Sequence, residues 1–401
     1  MELIKLLAIF LLIILLLRLK LNLGISMTAS AIVMGLVFGM DLYEITNIVI
    51  QSIISMTTIK TTLLLLIIMF LENIMRRKNL LLKIVESLRI IIGDYRIVMP
   101  ILPAFLGLLP SAGGAMFSAP LVADVCEDDH ITPERKSVIN FWFRHIWECV
   151  LPLYPAVIIT SEILKVDLLI FMKILFPFCL LTILLGLPYI YYGLRAPETD
   201  CRQRNKASLN NYISLIKGTA PILTILMLIL LFKIDIIISL LFVVVALLII
   251  YRYKWKDLAN SLIEAFSLKI IMLVLGVMLF KNMLEGTGIV TQLPLIFSNM
   301  GIPTIAVVIL LPFIVAFLTG MSQAYAAVAF PILVGLSPTL DLKLMALGFV
   351  SGFVGIMLSP MHLCLVLTTD YFNAKLEKVI VMMLLPLGVI MGCGYLYYSI
   401  F

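Results

Sequence analysis

Two clusters of small and polar residues interrupt long apolar stretches of the chain and are the first candidates for chemistry. They run from Leu109 to Gly114 (LPSAGG) and from Leu318 to Ala324 (LTGMSQA). Glycine permits close approach to the backbone, and the N–H and carbonyl groups freed at a helix break attract anions and cations. The predicted substrate-binding residues are Ser111, Ala112, Gly113, Gly114, Gly320, Met321, Ser322 and Gln323, with His362 added from a nearby break.

A proline-containing break follows each cluster, at residues 149–155 and 358–362. Proline inside a helix removes a hydrogen bond and frees a carbonyl about one turn earlier. Neutral oxygen atoms of this kind suit a hard cation such as Na+. The predicted Na+ ligands are Ser111, Thr319 and Ser359, with backbone carbonyls near Cys149 and Pro360, and no other cofactor is predicted.

Ionisable residues within the apolar stretches are few, and three of them are close in sequence: Arg144, His145 and Glu148. Ionisable groups at membrane depth usually mark substrate or proton paths, and histidine titrates near neutral pH. These three residues are therefore candidates for proton coupling. The alternative is that Arg144 and Glu148, spaced i and i+4, only neutralise each other. Because an adjacent cation holds a carboxylate ionised, we favour Na+ over H+ as the coupling ion.

The elements that position these residues must lie in a membrane. Of 401 residues, 63% are hydrophobic and 13% are charged, whereas soluble domains carry about 25% charged residues. This composition excludes a soluble enzyme, a nucleic-acid reader and a disordered chain, and it makes the lipid bilayer the first partner. The six cysteines form no C-x-x-C pair and have no histidine at metal-ligand spacing, which favours simple packing in helices.

Apolar stretches near the length of about 20 residues needed to span a bilayer predict ten transmembrane helices. The two clusters divide two further stretches, at about 98–125 and 304–336, into arms too short to span. Each is predicted to be a re-entrant hairpin, which is tolerated where the turn is buried in protein or lines a cavity. The ten helices are 3–19, 23–40, 56–75, 138–159, 168–193, 212–232, 234–251, 261–284, 343–368 and 379–400.

The distribution of basic residues orients this arrangement. With both hairpins re-entrant and the N-terminus outside, twenty Lys and Arg residues fall in inner loops and six on the outer side. Positive charge is enriched in cytoplasmic loops. We therefore predict a multi-pass protein of the cell membrane with both termini outside and a cytoplasmic linker at 194–211.

The chain also repeats itself at an offset of 209 residues, which pairs Lys60 with Lys269 and Asn73 with Asn282. The predicted repeats are residues 1–193 and 212–401, each with five transmembrane helices and one hairpin. Because five crossings is an odd number, the second repeat is inverted relative to the first. The predicted fold class is an all-α polytopic membrane protein with two inverted repeats.

The first hairpin, Leu109 to Val122 (LPSAGGAMFSAPLV), together with these halves resembles an uncharacterised integral membrane family, a domain of unknown function. That family is grouped with the ion transporter superfamily, which includes gluconate permeases and divalent anion:sodium symporters. The resemblance implies a homodimeric, elevator-type carrier coupled to Na+ or H+. Carboxylate symporters of the superfamily carry Ser-Asn-Thr at both tips, and only Ser111 and Ser322 match that pattern here.

The expected function is secondary active transport of a small organic anion, coupled to Na+ or H+, rather than catalysis or nucleic-acid binding. A cation/proton antiporter is the alternative, with Glu148 as its one candidate acid. An intramembrane enzyme is a further alternative, although neither H-E-x-x-H nor G-x-G-D occurs in the sequence. A non-catalytic membrane scaffold is the last alternative. It would not explain why the polar tips of the two hairpins are buried, which costs free energy.

Overall fold

The computed structural model describes residues 2–92, 94–109, 115–125, 131–191, 208–337 and 340–400, and the regular structure in these ranges is helical. Several helices begin at an Asn, Asp, Ser or Thr whose side chain accepts a hydrogen bond from the first turn, as at Asn22, Asp41 and Thr132. The helices are α1 Glu2–Arg18, α2 Leu23–Val37, α3 Leu42–Ile54, α4 Met56–Arg77, α5 Leu80–Ile92, α6 Tyr95–Leu106, α7 Ala115–Val125, α8 Pro133–His145, α9 Pro155–Leu164, α10 Leu168–Gly186, α11 Pro188–Tyr191, α12 Leu209–Leu230, α13 Ile236–Ile250, α14 Trp255–Ala265, α15 Leu268–Gly286, α16 Ile289–Asn299, α17 Thr304–Thr319, α18 Ser322–Leu336, α19 Leu342–Met357, α20 Leu363–Phe372 and α21 Leu376–Ile400.

Apolar helices long enough to cross a bilayer confirm the membrane class. In the described ranges, four helices are long and apolar enough to cross singly, and two bent pairs raise the number to six. Large apolar side chains on these helices face outward, such as Leu384 and Leu385 on α21. Shorter apolar helices make up much of the remainder. The protein is therefore a polytopic, all-helical membrane protein.

The breaks predicted at residues 149–155 and 358–362 are both present, and a third predicted transmembrane helix, 261–284, is interrupted between α14 and α15. The stretch 138–159 lies on α8 and α9, which are separated by turns from Ile146 to Tyr154. The stretch 343–368 lies on α19 and α20, which are separated at residues 358–362. Pro155 begins α9 and Pro360 lies within the second break, where a proline cannot donate the helical hydrogen bond. We call these two interruptions the α8–α9 break and the α19–α20 break.

The predicted hairpin ranges contain two pairs of packed helices, α6 with α7 and α17 with α18. The first tip falls at residues 110–114, so Ser111, Ala112, Gly113 and Gly114 lie outside the described residues. The second tip is a sharp turn at Gly320 and Met321. Of the two predicted tips, the described residues therefore include only that of the second hairpin.

Hydrogen bonds between the halves show that α4 and α15 run antiparallel. Asn73, near the end of α4, donates to Glu264 at the end of α14, with Nδ2 and Oε2 2.9 Å apart. Asn282, near the end of α15, donates to Ser52 at the end of α3 over 2.8 Å. Since α3 leads directly into α4 and α14 into α15, the end of each long helix lies beside the start of the other.

Small residues on α19 bring it against α17 in a parallel orientation. Ser351 donates to the carbonyl of Ile309 and Ser359 donates to that of Phe317, each over 2.6 Å and each across 42 residues. A constant separation requires the two helices to run in the same direction. A Cβ on Gly355 would meet the α17 backbone at 2.6 Å. Close packing of small residues therefore holds α17, the first arm of the second hairpin, against α19.

Candidate functional site

Gly320 connects the second hairpin to the α19–α20 break. Its φ of 65° lies in the left-handed region, which favours glycine. A Cβ at this position would lie 2.6 Å from the carbonyl of Met361 and 2.7 Å from the nitrogen of His362. Both the backbone conformation and the available space therefore require glycine where the hairpin turns.

His362 joins this junction to the first half of the chain. Its Nδ1 lies 3.0 Å from the carbonyl oxygen of Gly320, and its Nε2 lies 3.1 Å from Nε2 of His145. His145 places its own Nδ1 2.6 Å from the carbonyl oxygen of Phe141. The two histidines are only 5% and 8% exposed. The ends of α8 and of the α19–α20 break thus meet through a pair of facing imidazoles.

An acid and a cation are buried beside the histidines. Arg144 and Glu148 are each 4% exposed. Ser322, the first residue of α18, hydrogen-bonds with the Glu148 carboxylate, and no described residue hydrogen-bonds with the other carboxylate oxygen, Oε2. Burying charged groups costs several kcal/mol each unless they are well compensated. This region therefore has the polar character expected of a functional site in a membrane protein.

The first half contains a matching contact around Tyr154. Tyr154 precedes α9 as His362 precedes α20, and its hydroxyl donates to the carbonyl of Gly107 over 2.5 Å. Gly107 ends α6 as Gly320 ends α17. A Cβ on Gly107 would lie 2.1 Å from the carbonyl oxygen of Arg144. In each half, the residue just before the second part of the broken helix donates a hydrogen bond to the carbonyl at the end of the first hairpin arm: Tyr154 to Gly107, and His362 to Gly320.

A charged pair anchors the start of the first hairpin. Asp94 caps α6, and its carboxylate accepts hydrogen bonds from the backbone and guanidinium of Arg96 at 2.8 to 3.2 Å. The Arg96 side chain lowers the pKa of Asp94 through these bonds. Asp94 therefore stays ionised, and its negative charge stabilises the positive end of the α6 dipole.

A family described as "Protein of unknown function (DUF401)" matches residues 3–401. The chain belongs to this family. No curated protein matches the sequence of the chain. Membership covers nearly the whole chain and assigns no activity, so the site itself must supply the functional argument.

The structure brings together one group of the predicted residues. Gly320, Ser322, His362, His145 and Glu148 form one buried cluster through the contacts above. Arg144 adjoins His145 in sequence and is also buried. We call these six residues the central cluster. Met321 and Gln323 lie beside it in sequence and are half-buried.

The two described Na+ candidates bond to nearby backbone. The Thr319 hydroxyl donates to the carbonyl of Val315 over 2.7 Å and accepts from the amide of Met321 over 3.4 Å. The Ser359 hydroxyl donates to Phe317 and accepts from the amide of Met361. A hydroxyl has two acceptor lone pairs, so each keeps one for a cation. Ser111, the third candidate, lies outside the described residues.

Sequence reasoning missed Tyr154, Tyr325 and Cys364. Tyr325 is fully buried on α18, and no described residue hydrogen-bonds with its hydroxyl. Cys364 offers its sulfur within 4.8 Å of the nitrogens of His145 and His362. The repeat offset contained a signal for Tyr154, since residue 154 lies 208 positions before His362. The sequence places Cys364 two residues after His362, but the approach of His145 is defined by the fold.

Proposed function

We propose that this protein is a secondary active transporter that moves a small organic anion, coupled to Na+ or H+, by an elevator-type movement. The observation that carries the proposal is the central cluster, where the second hairpin and the broken helices of both halves meet around buried charges. Such a meeting of discontinuous helices is typical of the substrate site of secondary transporters. On this proposal the family is related to the ion transporter superfamily.

Helix packing supports an inverted repeat. If α1–α10 are superposed in order on α12–α21, the contact of α9 with α18 corresponds to that of α20 with α7. The contact of α3 with α15 corresponds in the same way to that of α14 with α4. Antiparallel α4 and α15, equivalent under this superposition, favour an inverted relation between the halves. These paired contacts are what a pseudo-twofold axis in the membrane plane would produce.

The chemistry of the central cluster supports an anionic substrate. Arg144 supplies a permanent positive charge in a region shielded from water. The backbone N–H groups at the start of α18 add donors and the positive end of a helix dipole. A carboxylate bound between Arg144 and the α18 N-terminus would contact both a cation and backbone N–H donors. Elevator movement would then carry this junction from one side of the membrane to the other.

Substrate binding can be tested on purified protein. Thermal stabilisation should be measured across carboxylates, sugar acids and amino acids, in Na+ and in K+, since a ligand that binds only the folded state raises the unfolding temperature. We expect at least one anion to stabilise the protein and Arg144→Gln to abolish that effect. Arg144→Lys, which retains the charge, should keep part of it. Equal stabilisation of wild type and Arg144→Gln would contradict the proposed site.

Coupling is tested by uptake of that anion into proteoliposomes, with Na+ replaced by K+ at fixed pH. We expect uptake to depend on Na+ and to persist at least in part in Glu148→Gln. Uptake that needs no Na+ and is lost in Glu148→Gln would instead make Glu148 the proton carrier.

Cation/proton antiport is the second candidate function. A buried acid with a carboxylate oxygen that accepts no hydrogen bond favours it. Glu148 keeps one carboxylate oxygen without a hydrogen-bond partner among the described residues. An antiporter needs such an acid to exchange a proton for a cation. Proton release driven by added Na+ or K+, with no anion required and with loss in Glu148→Gln, would establish this function in place of anion transport.

A further inference from the structure

The two facing histidines have a geometry that requires a positive species between them. Each Nδ1 lies at hydrogen-bond distance from a backbone carbonyl oxygen, at 2.6 Å for His145 and 3.0 Å for His362. Because a carbonyl only accepts, each Nδ1 carries the hydrogen, and this partner assigns the tautomer. Both neutral rings then direct the lone pair of Nε2 at the other over 3.1 Å. Two facing lone pairs repel unless a cation lies between them.

We propose that His145, His362 and Cys364 bind a transition-metal ion of the Zn2+ class. An ion about 2.05 Å from both nitrogens, the usual Zn–N distance, would see them about 98° apart, near the tetrahedral angle of about 109°. Metal-bound histidines almost always donate their other N–H to a carbonyl or carboxylate, as both rings do here. Imidazole and thiolate ligands select Zn2+ or Cu+ over Na+ and Mg2+.

Cys364 completes the ligand set from the first turn of α20. Its sulfur and one ring nitrogen of each histidine all lie within 4.8 Å of one another. Tetrahedral coordination would bring sulfur and nitrogen to about 3.6 Å, so the thiol needs to move by about 1 Å, within the reach of a small side-chain rotation. Three protein ligands leave a fourth position for water or for a ligand carboxylate.

The surrounding charges allow a divalent ion at this position. Arg144 opposes it, whereas Glu148 and the thiolate of Cys364 compensate two positive charges, which leaves one net positive charge for a carboxylate at the fourth position. The ion would connect α8 of the first half with α20 of the second, directly at the α19–α20 break. Bound metal would therefore hold the two halves in the described arrangement. The inference does not rest on the proposed transport function, because metal binding is measured on the purified protein alone.

The test is titration of the full-length protein in detergent with Zn2+, and with Co2+ as a spectroscopic probe. We expect one ion per chain, a thiolate-to-cobalt charge-transfer band and a raised unfolding temperature. His362→Asn retains an amide donor toward Gly320 but removes the Nε2 ligand. It should weaken binding by at least about 100-fold, beyond the roughly 10- to 100-fold effect of losing an outer-shell partner.

Cys364→Ser should remove the charge-transfer band, and it serves as the second variant if His362→Asn does not fold. The matched controls are Cys393→Ser, a free and partly buried cysteine on α21, and His130→Asn, the remaining histidine of the chain. Both controls should bind as wild type does. The metal site would be overturned if the wild-type protein bound neither ion, or if His362→Asn and Cys364→Ser both bound metal as tightly as the wild type does. A proton shared between the two imidazoles would then be the positive species.

Discussion

Two tyrosines near the central cluster differ in a single hydrogen bond. Tyr154 and Tyr325 are both buried, but the first donates to Gly107 and the second has no hydrogen-bond partner among the described residues. An unmade hydrogen bond of a buried hydroxyl costs free energy, whereas a satisfied one contributes a modest net stability. The pair therefore contrasts a hydroxyl that stabilises the fold with one that has no hydrogen-bond partner among the described residues.

We expect Tyr154→Phe to lower the free energy of unfolding by about 1 kcal/mol, the net worth of a typical hydrogen bond. Tyr325→Phe removes a buried group without a partner and should be neutral or slightly stabilising. Chemical unfolding of the two variants in detergent measures the difference. Equal losses in both would mean that the hydroxyl of Tyr325 has a partner outside the described residues.

At the scale of elements, the turn of the second hairpin depends on one glycine that has a natural control. Gly320 and Gly301 have nearly the same φ, at 65° and 66°. A Cβ on Gly320 would meet backbone at 2.6 Å, whereas nothing lies within 4 Å of a Cβ on Gly301. The two positions therefore share a left-handed φ, whereas only Gly320 is buried and crowded by neighbouring backbone.

Gly301→Ala should lose about 1 to 2 kcal/mol of stability from left-handed strain alone. Gly320→Ala should lose about 1 to 3 kcal/mol more, because the hairpin must move away from Met361 and His362. It should also abolish anion-induced stabilisation, which Gly301→Ala should keep. Thermal unfolding with and without the anion measures both effects. If the two variants behave alike, the contact of the hairpin with the α19–α20 break contributes nothing.

Elements with a local signal were predictable from the sequence. The all-α membrane class follows from apolar stretches, and the helix pairs of both hairpins match the ranges predicted from their turn residues, except that α6 begins three residues earlier, at Tyr95. Helix α3 was missed because Glu44, Asn47 and Gln51 reduce its apolar character, although Asp41 and Glu44 form a capping box that the sequence displays. The proline-containing breaks predicted at residues 149–155 and 358–362 were confirmed, whereas the interruption of the predicted helix 261–284 at Phe266 and Ser267 was not predicted.

The arrangement of the central cluster was less accessible, because its partners are far apart in sequence. His145 and His362 are separated by 217 residues and lie in different halves of the chain. Only His362 and Cys364 are close in sequence, and two ligands do not define a metal site without His145. The contacts of Asn73 and Asn282 were equally hidden, although the offset of 209 residues pairs these two asparagines in the sequence.

At the scale of the whole molecule, the two asparagine contacts show that α4 and α15 run in opposite directions. Asn73 reaches α14 just before α15 begins, and Asn282 reaches α3 just before α4 begins. A direct repeat would place equivalent ends on the same side of the membrane. An inverted repeat places them on opposite sides, which makes the orientation measurable at any pair of equivalent exposed residues.

Arg76 and Glu285 are such a pair, since both are exposed near the ends of α4 and α15 and lie 209 residues apart. Single cysteines at these positions, in a cysteine-free background of intact cells, should react with a membrane-impermeant maleimide from opposite sides. Positive charge near Arg76 predicts that it faces the cytoplasm, so Glu285→Cys should label in intact cells and Arg76→Cys only after permeabilisation. A cysteine at Lys206, in the predicted cytoplasmic linker, should follow Arg76→Cys. Labelling of Arg76→Cys and Glu285→Cys from one side would exclude inverted repeats, and the proposed alternating access would lose its structural basis.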